Sequence, residues 1–367
     1  MSPVIFFFAC TEPADVVFRG DIWTGSAWVD AVAVDDGVVS AVGEDVGEGL
    51  VEVTLDGPAY PGFLDAHTHT LAGSFAMDRL LLLGTPSMDA MVRSVEEYAA
   101  ETPDEPWIVG YGWLGESIGQ PDGRLIDAVV SDRPVLLVDN SGHSAVVNSA
   151  ALALVGITAD TPDPPGGVIG RDDDGTPTGY LHEAALSLVS DRALEDYDDA
   201  LLASALDETL DDFARSGLTG VTEILAVPGF DIGRPWIYTD RDVPLRVVVY
   251  LPIFVAADVA DAAAMRGTFE NDRVRFGGGK VWVDGSMGSA SAWLSEPYED
   301  DEGGEADFGS HYFDTDALIE IVREAEANGI HLKLHANGDA AVTAVLDAME
   351  VVLAENGSLL RHTLEHA

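Results

Sequence analysis

From residue 61 onward the chain repeats one pattern, a short apolar run of strand type followed by a longer stretch with helical spacing. Strand-like runs fall at 61–69, 217–223, 245–250, 279–284, 330–335 and 362–366. Residues 195–216, 315–328 and 339–355 are rich in Ala, Leu and Glu, with apolar positions three and four apart, the spacing that buries one face of a helix. Strand alternating with helix predicts a parallel α/β architecture, because parallel neighbours need a long crossover and a helix supplies it. At 367 residues a single large barrel or two domains are both possible.

Residues 14–60 differ. Short β-type runs at Asp15–Phe18, Ala31–Val34 and Val38–Val42 are broken by glycines, and Asp36-Gly37 between valines signals a hairpin. A small sheet of antiparallel strands is expected there. Residues 85–195 are too long for one strand–helix unit. They hold strand candidates at 106–113 and 134–139 and a Pro/Gly-rich hairpin region at 161–179, and they read as an insertion over the catalytic face.

The chain carries 65 acidic against 18 basic residues, a formal charge of -47, while 47% of it is apolar. That much apolar sequence supports a core, so the acid is not a sign of disorder. It is spread along the chain, as in Asp172-Asp173-Asp174 and Glu299–Glu305, and implies a uniformly acidic surface that molar salt would screen. The expected setting is an extremely saline cytoplasm. Nucleic acid is an unsuitable partner for such a surface. Cys10 is the lone cysteine and excludes an intramolecular disulfide. The apolar segment Pro3–Cys10 is too short for a membrane helix, and reads as a strand or a wrongly assigned start, with a lipoprotein-type signal ending at Cys10 as the alternative.

Chemistry concentrates at strand ends. His67 and His69 lie two apart on an apolar strand, so both imidazoles leave one face about 6.6 Å apart, an arrangement suited to chelating a divalent ion. The alternative is a pair of hydrogen-bonded core histidines. Lys280, His335 and His366 occupy three further strands, whose ends would converge in a barrel. Lys280 is one of only two lysines and follows Gly277-Gly278-Gly279. Desolvated and flanked by cations, it would have a lowered pKa and could take up carbon dioxide as a metal-bridging carbamate. An ion pair with Asp284 is the structural alternative, and Lys333, on the face of His335, competes for the role.

These segments resemble the amidohydrolase superfamily. The resemblance rests on Pro61–His69, on Gly278-Gly279-Lys280 leading to Asp284-Gly285-Ser286, on His335-Ala336-Asn337-Gly338-Asp339 and on Glu365-His366-Ala367. More narrowly, with Asn140–His143, Asn148–Leu152 and Gly166–Asp172, they look like its N-substituted formamide deformylase-like and exoenzyme-regulatory-type branch. The resemblance implies a (β/α)8 TIM-type barrel at 61–367 beside a small β-sandwich part at 1–60. It implies one or two divalent metal ions, zinc foremost, on His67, His69, a carbamylated Lys280, His335 and His366. It also implies an Asp at the end of the eighth strand as proton shuttle. The six strand runs end at residue 367, so that Asp is expected beyond it and the chain resembles a version truncated at its C-terminus.

The implied activity is hydrolysis of a C–N bond, of amide type, in a small molecule. Substrate-contacting candidates are His143, Trp113 and Ser286, with Trp282 also near the pocket; the alternatives are a His143 that caps a helix starting near Ser144, and aromatic core for the tryptophans. Asp65 and Asp339 are candidates to support the ligands, Asp339 also to cap the following helix. His182-Glu183 and His311 carry no spacing argument and read as surface or helix-end residues. A catalytically inactive metal-binding or scaffolding paralogue and a ring deaminase with the same ligands are the rival readings. A homodimer is compatible with the sequence.

Overall fold

A computed structural model describes residues 13–367 except 165, 196, 228, 229, 232 and 299–306. The Pro3–Cys10 segment and the acidic Glu299–Glu305 run lie outside the described residues. The chain divides into two units, Met1–Phe63 and Leu64–Ala367.

The first unit holds one four-stranded sheet among its described residues. Its strands are β1 (Ala14–Trp23), β2 (Trp28–Asp35), β3 (Val38–Val42) and β4 (Gly49–Thr54), in the order β3-β2-β1-β4. The expected Asp36-Gly37 hairpin joins β2 to β3, with φ of 49° and 74°, as a primed turn requires. The expectation of purely antiparallel pairing fails at β4, which runs parallel to β1. Residues 43–48 carry the chain from one edge of the sheet to the other, so no tight turn forces β4 to reverse. Val17, Ala31 and Ala33 form the buried face.

The second unit opens within β5 (Phe63–Thr68), from Leu64 on, and continues into the helix Thr70–Met77. Six strands follow: β6 (Leu80–Leu81), β7 (Ile108–Trp113), β8 (Val135–Asp139), β9 (Ser144–Val147), β10 (Gly167–Arg171) and β11 (Pro177–Glu183). They form their own sheet, ordered β10-β11-β9-β8-β7-β6. After it come β12 (Leu218–Ile224), a two-strand ribbon of β13 (Ala226–Val227) and β14 (Phe230–Asp231), then β15 (Arg246–Pro252), β16 (Val274–Trp282), β17 (His331–His335) and β18 (Thr363–Glu365). The main sheet is ordered β18-β17-β16-β15-β12-β5, and its pairs from β12 to β18 are parallel.

That sheet is a curled half-barrel. Flat, its two edges would stand about 24 Å apart at the usual strand spacing. Yet His67 on edge β5 hydrogen-bonds Glu365 on edge β18. Amphipathic helices back the sheet. In Asp199–Arg215, Leu202, Leu206 and Leu210 are buried, and Asp198 caps the start by accepting from the Leu201 N–H at 2.9 Å. Thr315–Asn328 buries Leu318, Ile321, Val322 and Ala325 and stops at Gly329 in the left-handed region. No helix among the described residues is long and apolar enough to cross a membrane.

Two local expectations need correction. Residues 144–147 form strand β9, not the start of a helix, and the helix begins at Ser149, capped by Asn148. β18 ends at Glu365, and His366 leaves it with φ of 72°.

Candidate active site

Strand β16 owes its path to its glycines. At Gly278, φ is 155° and a Cβ would lie 2.0 Å from the His331 carbonyl oxygen, so only glycine lets β17 come this close. The strand then delivers Lys280 into the sheet's interior, in register with Lys333 on β17. Lys280 is fully buried and its Nζ has no hydrogen-bond partner. Burial pushes its ammonium down to about 7, and Lys333 adds to this against the pull of Glu365. The Asp284 ion pair is not formed. Asp284 instead accepts from three backbone N–H groups, those of Asn337 (2.9 Å), Gly338 (2.7 Å) and Trp293 (2.9 Å). Lys333 Nζ donates to Glu365 at 3.0 Å.

Four imidazoles gather near Lys280. Ring centres of His67 and His69 are 5.4 Å apart, His67 and His366 4.7 Å, and His335 and His366 4.7 Å. The Lys280 charge depresses all four. Burial is the larger cause, and together they push His69 down to about 3, His335 to about 2 and His366 to about 4. The rings are therefore neutral near neutral pH, the form that binds a metal. His67 Nδ1 donates to the Glu365 carboxylate, which leaves its buried Nε2 lone pair without a partner. Burial opposes ionisation of Glu365, but hydrogen bonds from His67, Thr363 and Lys333 outweigh it and hold the carboxyl at about 2. His69 Nδ1 donates to the Ile224 carbonyl at 3.1 Å, which likewise reserves its Nε2.

The residues fit a divalent cation in donor chemistry: neutral imidazoles, one of them with a buried Nε2 that has no hydrogen-bond partner, and a buried amine near neutrality that has none either. They are not drawn into chelation, for among the described residues no three His, Cys, Asp or Glu side chains form a ready metal-holding group. His335 Nε2 donates to the Gly285 carbonyl at 2.9 Å, and must give up that bond before the nitrogen can serve a metal.

A cavity of about 470 Å³ adjoins the histidines. Apolar walls come from Phe75 and Met77 on the first helix, Val109 and Tyr111 on β7, Val138 on β8 and Trp282 on β16. His143 and Ser286 also line it. Trp113 does not: it is core, donating Nε1 to the Leu137 carbonyl at 2.9 Å. Asp65 is exposed and accepts only the His67 backbone N–H, at 3.1 Å. Asp339 is exposed and holds the Ser295 N–H at 2.8 Å, away from His335.

The sequence pattern of the amidohydrolase family matches residues 57–367. The chain belongs to that family. Among its relatives, Protein LONG AFTER FAR-RED 3 of Arabidopsis thaliana is 30% identical, over 97% of this chain and 65% of its own length. The N-substituted formamide deformylase of Arthrobacter pascens is 29% identical, over 84% and 58%. The chain thus spans just under two thirds of such relatives. The crystal structure of a metal-dependent hydrolase from Pyrococcus horikoshii matches with a TM-score of 0.66 at 23% identity, covering 92% of this chain and 68% of that one, a likeness of fold.

For an amidohydrolase, three residues stand out that pattern reading passed over. Glu183, read from sequence as a surface or helix-end residue, is 1% exposed at the end of strand β11 and bonds His143 at 2.8 Å. Tyr312 donates to the same carboxylate. Glu365 joins His67 to Lys333. Its place next to His366 in a strand run was the only available signal. His311 is exposed, and its ring stacks on Trp293 at 4.5 Å.

Proposed function

We propose that this chain carries the catalytic centre of a metal-dependent hydrolase that cleaves the C–N bond of a small, uncharged, amide-type molecule. The observation that carries the reading is the meeting of His67, His69, His335, His366 and Lys280 beside a cavity, with His67 Nε2 and Lys280 Nζ buried and unpartnered. Those five residues would hold one or two divalent ions, zinc foremost. A bound ion would lower the pKa of its water toward about 7 and polarise the scissile carbonyl.

The protein's own groups do the rest. Glu365 fixes the His67 tautomer so that Nε2 faces inward, and the Ile224 carbonyl does the same for His69. Lys280, near neutrality, has the free amine that carbamate formation requires: its nitrogen bonds the carbon of carbon dioxide and releases a proton, leaving an anionic carboxylate. Phe75, Met77, Val109, Tyr111, Val138 and Trp282 exclude water around an apolar substituent of the substrate. Among the described residues no Asp, Glu, Lys or Arg lines the cavity, which favours an uncharged substrate over an N-acyl amino acid.

The test uses protein purified in molar KCl, as the charge of -47 recommends. Elemental analysis should find one or two divalent ions per chain. Neutral N-acyl and N-formyl amides should turn over, and chelation or His69→Ala should stop it. Metal without turnover would point to a metal-binding scaffold, and a folded protein without metal would overturn the reading.

A further inference from the structure

Among the described residues two glycines line the cavity, and only Gly110 has a structural reason to be glycine. A Cβ there would lie 2.8 Å from Leu137 Cδ2 and 3.1 Å from the Leu80 carbonyl oxygen, so packing against the neighbouring strands excludes a side chain. Gly73 is different. It lies inside the helix Thr70–Met77 without a positive φ, and its N–H donates to the His69 carbonyl at 2.7 Å, as in any helix. Among the described residues nothing lies within 4 Å of a Cβ placed on it. Glycine inside a helix is less stable than alanine would be, because it surrenders more backbone freedom on folding. Neither backbone nor packing accounts for this residue, and the space above it belongs to the cavity.

Its neighbours show what that space is for. His69, Gly73 and Met77 stand four residues apart on one helix face, and all three line the cavity. At a rise of about 1.5 Å per residue, Gly73 lies about 6 Å along the axis from His69, and Met77 about 12 Å. Ala72 and Ala76 flank this line with small side chains, and Met77 ends it 63% exposed. Tyr111 turns its hydroxyl to the Asn140 carbonyl at 2.8 Å, which leaves its ring as an apolar wall beside Trp282. The result is an apolar track that begins at a histidine of the candidate centre. Any side chain on Gly73 would stand across it.

We propose that Gly73 sets the substrate size of this centre: by lacking a side chain it admits a bulky apolar substituent of the scissile amide, laid along the helix from His69 toward Met77. The helix is weaker at this residue, and the cavity is open beside the histidines as a result. The inference rests on the hydrolase reading and adds a substrate class, neutral amides with a long or broad apolar group in preference to those with a small one.

Gly73→Ala and Gly73→Leu test it in the zinc-loaded full chain, with N-hexylacetamide as the bulky probe and N-methylacetamide as the small one. Gly73→Ala should raise the melting temperature by about 1–3 °C, since alanine is the better helix former and meets no neighbour. The ratio of kcat/KM for N-hexylacetamide to that for N-methylacetamide should nonetheless fall about tenfold in Gly73→Ala and at least about fiftyfold in Gly73→Leu. Independently of turnover, equilibrium dialysis of N-hexylacetamide against the metal-free chain should show binding at least about tenfold weaker in Gly73→Leu than in the wild type. A ratio that stays within about threefold of wild type in both variants overturns the proposal and leaves the hydrolase reading standing. A melting temperature lowered by Gly73→Ala also overturns it, because the glycine would then have a structural reason. If the wild type hydrolyses no amide, the hydrolase reading fails by itself, and equal binding by wild type and Gly73→Leu then overturns this inference as well. A wild type that neither hydrolyses nor binds either probe overturns both.

Discussion

Asp284 gives the most direct quantitative test of how the centre is held together. Its carboxylate is fully buried and accepts three backbone N–H groups, one from the loop at Trp293 and two from the turn after His335. In Asp284→Ala all three lose their acceptor. An unsatisfied buried amide costs about 1–3 kcal/mol, and because two of these three are only part-buried and all share one partner the lower half of that range applies, about 3–6 kcal/mol in total. Relief of the carboxylate's own burial, which raises its pKa, works in the other direction and is included by taking that lower half. Asp284→Asn keeps one acceptor oxygen but turns an NH2 toward a backbone N–H, and should lose about 2–3 kcal/mol. Denaturant unfolding in molar KCl, with midpoint and slope fitted together, measures both. A loss below about 1 kcal/mol in Asp284→Ala would refute the reasoning, since it would mean that water satisfies the three amides as well as the carboxylate does.

Three further outcomes are expected. Gly338→Ala would set a Cβ 1.7 Å from the Trp293 carbonyl oxygen, so the turn must shift; folded yield should fall sharply, and a melting temperature within a degree of wild type would contradict the geometry. Burial raises the Glu223 carboxyl from 4.5 to about 7, so the unfolded chain loses its proton first as pH rises. Stability should therefore fall between about pH 4.5 and 7 by roughly 3 kcal/mol, and Glu223→Gln should remove that slope in paired unfolding curves. Lys280→Met should leave the metal-free protein as stable as wild type or more so, because it removes a buried amine without a hydrogen-bond partner, while metal content falls; unchanged metal content would remove Lys280 from the ligand set.

The six strands of the half-barrel were legible as short apolar runs, several of them separated by stretches with helical apolar spacing, and the helix at 315–328 coincides with its expected bounds. The histidines proposed as ligands were legible because they fall at or just past strand ends. The cavity's second wall was less so. Strands 106–113 and 134–139 can be seen in sequence, but nothing local says that they pair with each other in a separate sheet. Ser144–Val147 was misread because Asn148 and the alanines after it start a real helix, whereas Val146-Val147 belong to a strand. The carboxylates that orient the histidines lie beyond any local pattern: Glu183 is 40 residues from His143, and Glu365 is 298 from His67.

That last separation bears on how the protein is made. The hydrogen bond between His67 and Glu365 closes nearly the whole length of the second unit into one loop, and loop closure of this kind is among the slowest events in folding. During synthesis β5 emerges with His67 and His69 long before β18 brings Glu365 and His366 to them. The centre is thus a late product of folding. An ion captured there would report that the sheet has curled fully, and would bind its two edges against reopening.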